Sequence, residues 1–225
     1  MSHDGSKVPA SVLLVHGLWM NGAGTWWLRH RLRETGFAAE SFNYPTMQGT
    51  AAEVADRLSE AVAALPPPVH LVGHSLGGLI VLKLFERHPE QPPGRVVLLG
   101  SPVAGSGAAR AVANWAIGPA LLGPLASGEL ILAPSRRWAQ PRELGVIAGT
   151  VSAGMGRVVA ALPEPNDGTV AVEETRLEGV TEHITLPTTH TGMLFSASVA
   201  GQVARFLGSG SFRPPAPRAA GHRPE

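Results

Sequence analysis

Three residue types that together make a hydroxyl nucleophilic occur here in a usable order. Residues 69–78 read VHLVGHSLGG, an apolar run that ends in Gly73-His74-Ser75-Leu76-Gly77. This is a G-x-S-x-G pattern, which predicts a strand, one sharp turn bearing Ser75, and a helix. Gly73 and Gly77 let strand and helix approach without a Cβ between them. A serine hydroxyl attacks only if a base takes its proton and a third group fixes the tautomer of that base. Four histidines follow Ser75: His88, His183, His190 and His222. His88 closes a helix before Pro89, His183 opens a strand, and His222 lies in a Pro/Arg-rich tail. His190 falls in the loop 187–192 between the last strand and the last helix, and is the candidate base. Alone it would read as a surface loop histidine; beside Ser75 it reads as a partner.

The acid is narrowed by scarcity. The chain has only three aspartates, Asp4, Asp56 and Asp167, and only Asp167 follows the nucleophile. It sits in the loop 163–170, where Glu164 is the nearest rival and Glu143 a weaker one. An Asp-Gly turn is the plainer reading of the same residues. The tetrahedral oxyanion formed by attack on a carbonyl needs two backbone N–H donors. The expected donors are Leu76, directly after the nucleophile, and Leu18, in the loop after the first strand. Trp19 and Met20 come next and are candidates to line an acyl pocket. Trp26 and Trp27 read as helix-to-sheet packing.

These residues need elements to position them. Residues 11–16, 38–44, 69–73, 95–100, 144–150 and 183–186 are short apolar or β-branched runs that read as strands. Residues 25–34, 50–65, 76–88 and 193–207 read as helices. Thr50 and Glu53 have the spacing of a capping box. From 101 to 141 the strand–helix rhythm breaks into an Ala/Gly/Leu/Pro-rich stretch with a weak helical pattern over 108–122. It reads as a helical insertion and a candidate cap. Residues 152–162 are a candidate short helix. Solid apolar strands alternating with helices predict an α/β fold with a mainly parallel sheet and helices on both faces. In such sheets the chemistry gathers at the C-terminal ends of the strands. The expected organisation is a flexible segment 1–9, one domain 10–207, and a disordered tail 208–225.

Composition removes other classes. With 18 Lys+Arg against 17 Asp+Glu the net charge is +1, which leaves no footprint for nucleic acid. There is no cysteine, so thiol catalysis and thiolate metal sites are excluded. His70 and His74 have a metal-like spacing, but no acidic partner stands near them in sequence, so no metal is expected. Gly105 and Gly107 supply too few glycines for a dinucleotide fingerprint, and no cofactor is expected. No run is long enough to span a membrane, and the N-terminus carries no apolar leader. A cytoplasmic location is expected; oligomeric state is not legible.

The chain resembles an α/β-hydrolase of the small bacterial lipase/esterase kind, over roughly residues 11–207. The matching residues are His16-Gly17-Leu18 for the oxyanion loop, Gly73-His74-Ser75-Leu76-Gly77-Gly78 for the elbow, Asn166-Asp167-Gly168 for the acid turn, and His190-Thr191-Gly192-Met193-Leu194 for the base loop. The resemblance implies ester hydrolysis through an acyl-enzyme, without a cofactor. Two departures matter: the oxyanion loop lacks the HGGG form, and the insertion 101–141 is particular to this chain. The expected function is a serine hydrolase cleaving carboxylic esters, an esterase or lipase for a hydrophobic acyl group of a small-molecule ester. The alternatives are an acyltransferase, thioesterase or amidase with the same triad, or a non-catalytic binding member of the fold.

Overall fold

A computed structural model describes residues 9–115, 118–131, 136–153 and 162–212. Six strands form one sheet: β1 (Ser11–Val15), β2 (Ala38–Phe42), β3 (Val69–His74), β4 (Val96–Leu99), β5 (Leu144–Gly149) and β6 (Glu182–Leu186). Their order is β2-β1-β3-β4-β5-β6, and every adjacent pair is parallel. The apolar runs are continuous because both faces of the sheet are covered. Leu13, Val15, Leu71, Val96, Leu98 and Val146 face one core cluster, while Val12, Leu14, Val72, Val97, Leu99 and Ile147 face the other.

The helices divide accordingly. Helix α1 (Trp26–Glu34) covers the second face with Leu28 and Leu32, and α2 (Ala51–Ala63) and α3 (Leu76–Arg87) cover the first. The capping box forms as expected: Thr50 Oγ1 accepts from the Glu53 N–H at 3.2 Å, and Glu53 Oε2 accepts from the Thr50 N–H at 2.8 Å.

The stretch 101–141 holds two short helices, α4 (Gly107–Ala113) and α5 (Gly118–Ala126), where the sequence suggested one weak pattern. Helix α5 breaks at Gly123, whose φ of 72° is left-handed, and Pro124 follows directly. Val112, Leu122, Leu125, Leu130 and Trp138 join the α2–α3 core. Arg136 and Glu129, both buried, pair in this stretch, and Lys83 of α3 lies 3.6 Å from Glu129. The insertion therefore extends the core beside α3, and meets the loop after β1 through one bond taken up below.

The C-terminal helix differs from expectation at both ends. A 3-10 turn, Gly192–Phe195, comes first, and helix α6 (Ala197–Ser209) starts afresh. The Ser196 side chain accepts from the Val199 N–H and so forces the break. Beyond residue 208 the chain is not wholly tail: Phe212 is buried, its ring 4.6 Å from that of Phe206. Residues 1–8, 213–225 and most of the expected helix 152–162 lie outside the described residues. No described helix is long and apolar enough to cross a membrane.

Candidate active site

Ser75 stands between β3 and α3 with φ 55° and ψ −123°. A non-glycine residue in that region is strained by on the order of 1–3 kcal/mol, and such strain clusters at functional turns. The turn is held by the Ser75 N–H donating to Leu99 O at 2.9 Å. The glycines around it are there for close approach. A Cβ on Gly77 would lie 2.1 Å from the Val15 carbonyl oxygen, and one on Gly73 would lie 2.5 Å from Gly78 Cα. The end of β1 and the start of α3 thus press together under the serine.

His190 lies beyond β6, as the sequence placed it, and is tied to Asp167 twice. Its N–H donates to Asp167 O at 2.9 Å, and its Nδ1 lies 2.7 Å from Asp167 Oδ2. A carboxylate accepts, so Nδ1 carries the proton and Nε2 is left as a bare base. Asp167 is buried, and its other oxygen, Oδ1, accepts from the N–H groups of Thr169 (2.9 Å) and Val170 (2.7 Å). The Asn166 side chain closes the same turn by accepting from the Gly168 N–H at 2.9 Å. The rivals are elsewhere: Glu164 is exposed, and Glu143 pairs with Arg95 at the opposite end of the sheet. Among the other downstream histidines, His88 pairs with Asp56 and His183 bonds Thr175, while His222 is outside the described residues. The Ser75 hydroxyl makes no direct hydrogen bond to His190 in this structure.

Leu76 follows the serine in the chain, and Leu18 belongs to the loop after β1. Leu76 opens α3, where first-turn N–H groups have no intrahelical acceptor. Gly17, next to Leu18, is packed so closely that a Cβ there would sit 3.1 Å from Ser75 Cβ. A clamp that sequence reading missed holds this loop. The His16 ring stacks on Tyr44 at 4.5 Å, the Tyr44 hydroxyl donates to His16 O at 2.7 Å, and His16 Nδ1 bonds Gly17 O at 3.1 Å. Burial pushes the His16 imidazole down and the Tyr44 phenol up, so both stay neutral.

Trp19 and Met20 part company. Trp19 is 52% exposed, has φ 57°, and donates its indole Nε1–H to Leu121 O of α5 at 2.9 Å. Its backbone N–H reaches Thr46 Oγ1 at 3.3 Å. Met20 instead packs on the α1 side of the sheet.

Two further residues escaped the sequence. Gly100, at the end of β4, has φ 53°, and a Cβ there would meet Asp167 Oδ2 at 3.0 Å and His190 Nδ1 at 3.1 Å. His74 bonds the His190 carbonyl through Nε2 at 3.0 Å. Only a strand end that must pass under another loop gives such residues their role, and no local spacing signals it. His70 and His74 are engaged separately: His70 Nδ1 accepts from the Arg95 N–H, while His74 meets the His190 carbonyl.

A cavity of about 650 Å³ opens at the other end of the sheet, lined by His70, Arg95, Arg142 and Glu143 among others. It is remote from Ser75. Its arginines are engaged by the carbonyls of Leu207, Pro92 and Gln91, so we read it as structural.

Solved structures share this architecture. The mature lipase BlEst2 of Bacillus licheniformis superposes with a TM-score of 0.67 at 23% identity, covering 84% of this chain and 88% of that one. A monoacylglycerol lipase of Paleococcus ferrophilus gives 0.59 at 16% identity, covering 88% and 93%. The RedJ thioesterase of the prodiginine pathway of Streptomyces coelicolor gives 0.55 at 16% identity, covering 91% of each chain. At these identities the likeness is one of fold. No curated protein sequence matches. The family model described as "Alpha/beta hydrolase family" matches residues 12–186, and the chain belongs to that family.

Proposed function

We propose that this protein is a serine hydrolase that cleaves carboxylic esters of a hydrophobic acyl group through an acyl-enzyme on Ser75. The observation that carries the reading is the strained Ser75 turn, joined through the neighbouring His74 to His190, whose Nδ1 is held by the buried Asp167 so that Nε2 is left as the base. Ser75 Oγ attacks the ester carbonyl as its proton passes to His190 Nε2. The oxyanion is received by the Leu18 and Leu76 N–H groups, each donor of this kind worth about 2.7–4 kcal/mol in the transition state. Collapse breaks the C–O bond, and His190 returns the proton to the leaving alcohol. Water then repeats the sequence on the acyl-serine, releasing the acid and restoring Ser75. No step calls for a cofactor.

A hydrophobic, uncharged substrate is favoured by the surroundings. Exposed Trp19, Met47, Leu121, Val151 and Phe195 all lie on segments that follow the C-terminal ends of strands. The loops 16–25, 43–50, 150–153 and 187–196 carry no Lys, Arg, Asp or Glu. Exposed apolar side chains on loops of this composition suit an acyl chain better than an ionic group. The test is a p-nitrophenyl ester series from acetate to palmitate. We expect a burst of p-nitrophenol, rates that rise beyond acetate, and loss of both in Ser75→Ala. Turnover unchanged in Ser75→Ala would refute the mechanism. Running the same series against thioesters and amides tests the acyl group's leaving partner.

A further inference from the structure

His74 touches both halves of the site. It is peptide-bonded to Ser75, and its Nε2 lies 3.0 Å from the carbonyl oxygen of His190, 116 positions away in sequence. A carbonyl only accepts, so His74 Nε2 carries the proton and donates. The two imidazole rings also meet, with centroids 4.8 Å apart. The backbone of His190 is therefore fixed at both ends of the residue: Asp167 O takes its N–H, and His74 Nε2–H binds its C=O.

We propose that His74 is a positioning residue that sets the separation between the Ser75 nucleophile and the His190 base, holding the base loop by one hydrogen bond from the residue next to the nucleophile. This rests on the reading of Ser75 and His190 given above. The competing account is that His74 only fills space in the core. Its chemistry argues otherwise. His74 is buried, and its Nδ1 has no protein partner. A buried acceptor of that kind is a net burden on stability that an apolar ring would remove. The polar ring is therefore explained by what Nε2 does, not by packing. Burial holds the ring down at about 3, so at neutral pH it stays an uncharged donor. It also sets no second cation against the imidazolium that forms on His190.

The test compares His74→Phe, which keeps a ring and loses the donor, with His74→Gln, whose side-chain amide reaches the Nε2 position. Both are made in the full chain. The readouts are kcat and KM on p-nitrophenyl butyrate, Tm, and the rate of fluorophosphonate labelling at Ser75. Misplacement of a reacting group by about 1 Å is enough to cost about 100-fold. We expect His74→Phe to lose about 10- to 100-fold in kcat and in labelling rate, with KM little changed and Tm equal or higher. His74→Gln should recover most of the loss. If His74→Phe does not fold, His74→Asn, whose amide is too short to reach, takes its place in the comparison. A Phe or Asn variant with wild-type kcat, a Gln variant no better than it, or a loss confined to KM would overturn the role. Wild-type protein that takes no label overturns the nucleophile reading beneath it. Wild type that labels, beside a Phe variant labelling equally fast, overturns the positioning role alone.

Discussion

The Asp167 carboxylate accepts three hydrogen bonds, two from backbone N–H groups and one from His190 Nδ1. The carboxylate is thus locked before any substrate arrives, and its one free choice is the tautomer it imposes on His190. Asp167→Asn would present an amide N–H to Nδ1, turn the imidazole to the wrong tautomer, and leave Nε2 protonated. On the pattern known for such triads we expect kcat to fall by about 10⁴-fold with KM little changed, measured by steady-state ester hydrolysis. Retention of kcat within about tenfold would show that Asp167 does not orient the base. At this scale Ser75 could be proposed from the elbow pattern, and Asp167 and His190 because one aspartate and four histidines follow it. His74, Gly100 and Tyr44 were not. Each acts through a neighbour far away in sequence, and a single sequence holds no record of such contacts.

At the scale of elements, the central strands β1, β3, β4 and β5 were readable because burial on both faces makes them largely apolar, whereas the edge strands β2 and β6 are only partly buried. Boundaries were set by side chains whose local role is easily overlooked. Ser196 caps α6 and cuts the expected helix in two, and Gly123 with Pro124 breaks α5. The insertion hid its main internal tie altogether. Arg136, 3% exposed, pairs with Glu129, 10% exposed, and also reaches Val103 O. Removing one member of a buried pair strands the other and typically destabilises by about 3–5 kcal/mol. Arg136→Ala should lower stability by that order in urea unfolding followed by fluorescence. A change below about 1 kcal/mol would mean the insertion is not held through this pair.

The whole molecule carries several buried neutral histidines, and these couple its stability to pH. Burial lowers His70 to about 4 and His74 to about 3, and lowers His16 and His183 as well. Below the ordinary histidine value of about 6.5 the unfolded chain takes up protons that the folded chain refuses. Stability is therefore complete above about pH 6.5 and is lost progressively as pH falls toward 4 and 3. For His70 alone the full loss is on the order of 3 kcal/mol. His70→Asn keeps an acceptor for the Arg95 N–H and does not titrate. Its Tm should fall less steeply between pH 6.5 and 4 than that of the wild type, and equal slopes would remove His70 from the account.

The claim on which the rest depends is that Ser75 is a nucleophile. Incubation of the full-length protein with a fluorophosphonate, followed by peptide mass mapping, tests it in one step. We predict one adduct per chain, located on Ser75, formed in wild type and absent from Ser75→Ala and His190→Ala. Wild-type protein that remains unmodified, or an adduct on another residue, would contradict it.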